Sequence, residues 1–369
     1  MTVDVDPRRA IPAEARLRLV DCDIHPILRR PSDIRAYLDP AWHAYHDQYG
    51  NFLMSPYTEA HPYPKPTPAL SRLDTWPPSG GPPGSDLDFM RAQHLDPHDI
   101  EFGVLQVLWP TAARQRNLGY AEALCRAVND WQVAEWTSRE RRLRGSVMVS
   151  QEDGEAAAAE IARCARRGDY AQVMVMPRNT EPMGRRRYWS IFAAAEAHDL
   201  TLGIHVGGLN GYAVASGAGH PSFYAEEKDS NGFAMEAMLT SMIFEGVMER
   251  FPRLRIVAIE AGLGWAPSLG WRLDGLWERF RDELPEVRRP PSEYLRERVW
   301  FTTQPADEPE DPRHLRETFD WIGWDRILFA SDYPHWDSDD PRHVFPMPLS
   351  GAERRMVFRD NAIGVYRLT

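Results

Sequence analysis

Cysteine is scarce in this chain: Cys22, Cys125 and Cys164 are the three in 369 residues. Scattered and odd in number, they exclude a disulfide framework and a thiolate zinc site, and they fit a reducing compartment. Charge of one sign never accumulates in a long run. The 43 basic residues against 54 acidic ones leave a net charge of -11, which argues against a nucleic-acid partner. No uninterrupted apolar stretch reaches membrane-spanning length, and the first residues are polar and charged, without the apolar core of a signal peptide. A cytoplasmic protein with small-molecule partners and no membrane contact is expected. With 43% hydrophobic and 26% charged residues, the chain can bury a large core.

What is present is an ordered alternation. Apolar, β-branched runs at 17–24, 101–108, 143–149, 171–176, 201–206, 254–259, 299–303 and 326–331 read as strands. Between most of them, spaced apolar residues predict helices at 120–139, 154–167, 188–197, 233–251, 269–280 and 312–321. Eight strands separated by helices or long connections predict a single α/β domain over residues 1–369, a closed parallel barrel more than an open sheet. The alternation breaks at residues 29–88, where proline crowds the sequence and excludes a regular helix or central strand. Leaving from the end of the first strand, this insertion is expected to form a lid or a subunit contact. A second loop, 207–231, carries Tyr212, His220, Phe223 and Tyr224 and is expected to form another wall of a pocket.

Four of these strands end on potential metal ligands. The first closes on Asp23 and His25, two apart and so able to share one face; the others close on His205, Glu260 and Asp332. Singly, each has an ordinary explanation. A strand histidine is more often a hydrogen-bonded core residue, Asp332 can cap the turn into Tyr333-Pro334-His335, and Glu260 can stand behind the ligands as a partner. Together, at the carboxyl ends of strands one, five, six and eight, they predict a metal site where barrel enzymes place their chemistry. Carboxylate with imidazole suits zinc, manganese or iron. Trp109, Arg178, Trp265 and Gln304 fall at or just past strand ends, and Trp336 follows His335. They suggest an aromatic-walled pocket for a planar or apolar substrate bearing a carboxylate or carbonyl. Arg178 either pairs with that carboxylate or faces solvent.

These residues resemble a known family. Val20-Asp-Cys-Asp-Ile-His-Pro26, Gly203-Ile-His-Val-Gly207, Phe251-Pro-x-Leu-Arg-Ile256 and Phe329-Ala-Ser-Asp-Tyr-Pro-His335 are similar to motifs of the amidohydrolase superfamily. The likeness is to its amidohydrolase-related group, which includes aminocarboxymuconate semialdehyde decarboxylase and aromatic acid decarboxylases. It implies a (β/α)8 TIM-type barrel and one divalent metal on Asp23, His25, His205 and Asp332. The chain departs from the superfamily pattern twice. Asp23 stands where His-x-His is usual on strand one, and Glu260 stands where strand six usually delivers a catalytic histidine. Glu260 can ligate the metal, help to hold a second ion, or shuttle protons.

Two reactions use such a centre. A metal with an open position generates hydroxide near neutral pH, with Asp332 as acid and base and Glu260 or His335 sharing that work. The leading expectation is therefore a hydrolase for a small amide, ester, lactone or activated C–C bond. The alternative is non-oxidative decarboxylation of an aromatic or enoic acid, in which the metal orients the substrate and stabilises charge. A catalytically weak binding protein on the same scaffold is a third reading. Helix aromatics and the family likeness suggest a homo-oligomer.

Overall fold

The computed structural model describes residues 17–50, 70–110, 112, 115–207, 217–219 and 222–369. Eight short strands form one parallel sheet in chain order: β1 (Leu19–Ile24), β2 (Ile100–Leu105), β3 (Leu143–Met148), β4 (Tyr170–Val175), β5 (Thr201–His205), β6 (Ile256–Ile259), β7 (Val299–Thr302) and β8 (Ile327–Leu328). The last strand returns to the first. The Cys22 amide donates to the Phe329 carbonyl at 3.1 Å, and Ile24 and Tyr333 form a parallel bridge. The sheet is thus the predicted (β/α)8 barrel.

Both faces of the strands are covered, which is why they read as apolar runs. Val20, Cys22, Val104, Val257, Ile259, Leu328 and Ala330 pack as one cluster inside the barrel. That cluster also takes in Val365, Tyr366 and Leu368, from and just beyond the helix Asn361–Tyr366, so the C-terminal residues plug the amino end of the strands. Outward residues such as Ile24, Leu105, Val147 and Ile204 belong to the larger core beneath the helices. The principal helices are α1 (Leu118–Gln132), α2 (Gly154–Ala165), α3 (Trp189–Ala197), α4 (Tyr224–Phe244), α5 (Ala266–Arg279), α6 (Pro291–Arg298) and α7 (Pro312–Ile322). Among the described residues, no helix is long and apolar enough to cross a membrane.

Two elements differ most from their expected extents. The sequence pattern places a loop up to residue 231, yet α4 starts at Tyr224. The segment lacks apolar periodicity. Its start is fixed instead by Glu226, whose carboxylate accepts the amides of Ser222 and Phe223 at 2.9 and 2.8 Å. β8 is two residues long where six were expected, because the chain after Leu328 bonds elsewhere: the Ala330 amide donates to Thr303 Oγ1 (3.2 Å) and the Ser331 amide to Asp21 Oδ1 (2.9 Å).

The proline-rich stretch Pro62–Pro68, with Tyr212 and His220, lies outside the described residues. The described end of the insertion runs back to the barrel mouth. Ser71 pairs antiparallel with His335, and the Trp336 amide donates to the Leu70 carbonyl at 2.7 Å. Gly84 lies directly on the backbone of His25. Its φ is +79°, and a Cβ there would stand 2.3 Å from the His25 carbonyl oxygen. Gly84→Ala should therefore destabilise by about 2 kcal/mol or more, through strain and clash together. Gly275→Ala, inside α5 with nothing within 4 Å of the new Cβ, should instead stabilise by about 0.4–1 kcal/mol. Thermal melts of both variants beside the parent check the pair; equal midpoints for all three would refute this packing.

Candidate metal centre

Asp23 is the fifth residue of β1 and His25 follows that strand directly; His205 ends β5, Glu260 stands one residue past β6, and Asp332 lies beyond β8. One ligating atom from each of Asp23, His25, His205 and Glu260 lies within 4.8 Å of the others, and all four residues are buried. Asp332 joins through His25, in an adjoining group with His335. His25 Nε2 is 3.0 Å from Asp23 Oδ1 and 2.8 Å from Asp332 Oδ1. His205 Nε2 is 3.4 Å from Asp23 Oδ2 and 3.5 Å from Glu260 Oε2.

The histidine tautomers decide what this cluster is for. His25 Nδ1 donates to the Gln106 carbonyl (2.9 Å) and His205 Nδ1 to the Val206 carbonyl (2.6 Å), so each ring, in its neutral form, presents the Nε2 lone pair inward. Both Nε2 atoms and both Asp23 oxygens are buried with no hydrogen-bond partner. Lone pairs facing carboxylate oxygens at such distances, shut off from water, repel unless a cation lies between them. The donor set of nitrogen and oxygen, without thiolate, fits a divalent transition metal.

Backbone geometry marks the same place. Glu260 and Asp332 have φ of 58° and 60°, left-handed values that a residue with a Cβ adopts only at a cost. Surrounding bonds hold them there: the Glu260 amide donates to Thr302 Oγ1 (3.1 Å) and the Asp332 amide to the Asp23 carbonyl (3.1 Å). Burial alone would raise the Asp332 pKa, but His335 and His25 beside it hold it well below the usual carboxylate range. Burial raises Glu260, and Asp332 adds to that rise while Lys228 opposes it.

Behind the ligands stands a buried carboxylate that the sequence reading did not assign. Asp21 accepts the amides of Asp23 and Ser331 on Oδ1, at 3.2 and 2.9 Å, and Ser331 Oγ and His94 Nε2 on Oδ2, at 2.5 and 2.7 Å. One side chain thus ties the mouths of strands one and eight to the helical turn carrying His94. The alternation Asp21, Asp23, His25 was the available signal for it.

The site opens into a pocket lined by Val206, Lys228, Asn231, Glu260, His335, Trp336 and Asp337, with Leu70 from the insertion. Lys228, on α4, was also missed, since its segment was read as loop. Its Nζ lies 2.8 Å from both Glu260 Oε1 and Asp337 Oδ2. Burial pulls this ammonium down, but Glu260, Asp332 and Asp337 outweigh it and hold its pKa above the ordinary value. A signal existed: only Lys65 and Lys228 are lysines, all other basic residues being arginine.

The expected site residues fall in different places. His335 stacks on His25, with ring centroids 4.3 Å apart, and its Nδ1 donates to Asp332 Oδ1 at 2.7 Å. Gln304 is fully buried and donates to Asp332 Oδ2 at 3.2 Å. Trp336 lines the pocket. Arg178 is buried and paired with Glu227 at 3.0 Å. Trp265 packs edge-on against Phe301 and donates its indole N–H to the Ala261 carbonyl. Trp109 lines a separate small cavity with His46 and Tyr120.

A family model described as amidohydrolase matches residues 20–368. The chain belongs to the amidohydrolase family. Among its relatives is a gamma-resorcylate decarboxylase of Polaromonas sp. (strain JS666), 23% identical over 295 residues, covering 77% of this chain and 88% of that protein. A crystal structure of 5-carboxyvanillate decarboxylase from Sphingomonas paucimobilis shares the fold, with a TM-score of 0.69 at 22% identity, over 96% of this chain and all of that one. A dihydroxybenzoic acid decarboxylase from Polaromonas sp. JS666, solved with bound manganese and the inhibitor 2-nitroresorcinol, superposes with a TM-score of 0.66 at 18% identity, covering 95% of this chain and 97% of that one.

Near the site, burial and the carboxylates of Asp337, Asp332 and Glu308 push Asp339 up to about 7. An unfolded aspartate titrates near 4, so between these two values the folded family member holds the extra proton and loses stability as pH rises. Asp339→Asn should leave the melting temperature unchanged near pH 4 and raise it at pH 8. A shift of the same size at both pH values would contradict the assignment.

Proposed function

We propose that this amidohydrolase-family chain is a metal-dependent, non-oxidative decarboxylase of a hydroxylated aromatic acid. The observation that carries this reading is the buried cluster of Asp23, His25, His205 and Glu260, with Asp332 and His335 adjoining, which can hold a cation and stands beside a pocket that His335 and Trp336 line together with charged and aliphatic groups. The decarboxylase relatives support this alternative over the hydrolase reading. Asp23, His25 and His205 would hold the ion, completed by Asp332 or Glu260. Manganese is the first candidate because the Polaromonas structure contains it. When bound, a divalent cation supplies a charge centre that orients the substrate's carboxylate and adjacent hydroxyl.

The chain's own groups do the rest. His335, which lines the pocket, donates its Nδ1 proton to the fully buried Asp332 Oδ1 across 2.7 Å. That proton goes to the ring carbon bearing the carboxylate; the C–C bond then breaks, its electron pair restores the aromatic ring, and carbon dioxide leaves. Gln304, fully buried, fixes Asp332 through its second oxygen. The stacked His335 and His25 rings, with Trp336 and Leu70, keep water from the reacting carbon. Leu70, at the described end of the insertion, lines this pocket, which supports a lid over subunit contact as the role of that insertion in a single barrel domain. Three free, buried cysteines support a reducing, cytoplasmic setting, and exposed Trp271 and Phe280 support self-association.

Protein reconstituted with manganese and incubated in D2O with hydroxybenzoic acids tests the reading. The expected result is carbon dioxide release with one deuterium on the carbon that lost it. Asp332→Asn should lower kcat by roughly 10²–10⁴-fold, and Asp23→Ala should lose the bound manganese. Hydrolysis of esters or lactones with no carbon dioxide from any acid would establish the hydrolase reading instead.

A further inference from the structure

We infer that Lys228 and Asn231 together read a neutral hydroxyl on the substrate ring and reject a second carboxylate. The inference rests on the decarboxylase reading above and narrows its substrate class. Among the described residues lining the pocket, Lys228 is the only lysine or arginine. Its ammonium has three donors. Two face Glu260 Oε1 and Asp337 Oδ2, each at 2.8 Å, and its side chain keeps 24% of its surface exposed. The remaining donor is available to a ligand in the pocket.

The charge around that donor is already negative. With the ion held by Asp23, His25, His205 and Asp332, Glu260 and Asp337 set two carboxylates against this one ammonium, so a ligand carboxylate brought to Lys228 meets like charge on both sides. The neighbouring arginine gives no relief, because Arg178 is buried against Glu227. A hydroxyl has no such penalty, since it accepts from Nζ and also has a proton to give. A taker for that proton exists. Asn231, one helical turn from Lys228 on α4, lines the same pocket, and its Oδ1 is buried with no hydrogen-bond partner among the described residues. A carboxylate would leave that acceptor unsatisfied. The use of lysine here, in a chain with one other lysine, suits a compact point donor held between two acids, where a forked guanidinium would not fit the same geometry.

The two decarboxylase types related to this chain differ in this respect: a dihydroxybenzoate bears hydroxyls alone beside its reacting carboxylate, whereas 5-carboxyvanillate bears a second carboxylate. The inference places this chain with the first kind.

The test is equilibrium binding to the manganese-loaded protein, read by titration calorimetry, for 2-hydroxybenzoates carrying either a second hydroxyl or a second carboxylate at each ring position. The best hydroxyl compound should bind at least about tenfold more tightly than any dicarboxylate. Lys228→Met should erase most of that preference. Asn231→Leu, which leaves the Lys228 ion pairs in place, should reduce it independently, and circular dichroism verifies that both variants remain folded. Equal binding of the two ligand series by the parent, or a preference unchanged in both variants, overturns the inference and leaves the decarboxylase reading standing. Failure of every hydroxybenzoate to bind overturns both.

Discussion

Two imidazole lone pairs and the oxygens of Asp23 face one another in a space closed to water, and the rest of the barrel mouth is organised around that repulsion. A protein interior tolerates such an arrangement only with a positive charge at its centre. Each Nδ1 is spent on a backbone carbonyl, so neither ring can turn its proton inward without losing a bond. The supporting groups follow from the same need. Asp21 binds two amides, a hydroxyl and an imidazole, which sets the spacing of the strand ends bearing Asp23 and Asp332. Glu260 and Asp332 hold left-handed backbone at the mouth of the barrel, and the hydrogen bonds that their amides donate to Thr302 Oγ1 and the Asp23 carbonyl compensate the strain.

The pocket beyond the ligands is governed by balance between charges. Lys228 joins α4 to Glu260 and Asp337, while Arg178 and Glu227 neutralise one another beside it. Three groups that would be costly to bury alone become affordable as a connected set. Helix, sixth strand and the turn after the eighth strand are thereby locked in one electrostatic unit that forms one wall of the pocket.

The barrel and the positions of the clustered carboxylates and imidazoles were legible in the sequence because both are written in local patterns. Apolar, β-branched runs mark strands covered on both faces, and Asp23, His25, His205, Glu260 and Asp332 each stand at or just past the end of such a run. What the sequence hid depends on partners distant in the chain. Lys228 sits in a polar segment with no periodicity, whose helix is started by Glu226 and not by an apolar stripe. Arg178 looked available for a substrate because nothing local reveals Glu227, forty-nine residues on. The short β8 is likewise set by its side-chain partners Asp21 and Thr303, which no window around Leu328 contains.

The Asp21–Ser331 contact joins residues 310 positions apart. On a ribosome, the first strand emerges long before its partner exists, and chains grow at roughly 5–20 residues per second. For that interval the first-strand half of the centre has nothing to complete it. The complete cluster, and any ion it would hold, is therefore assembled only after the chain beyond the eighth strand has returned to the first.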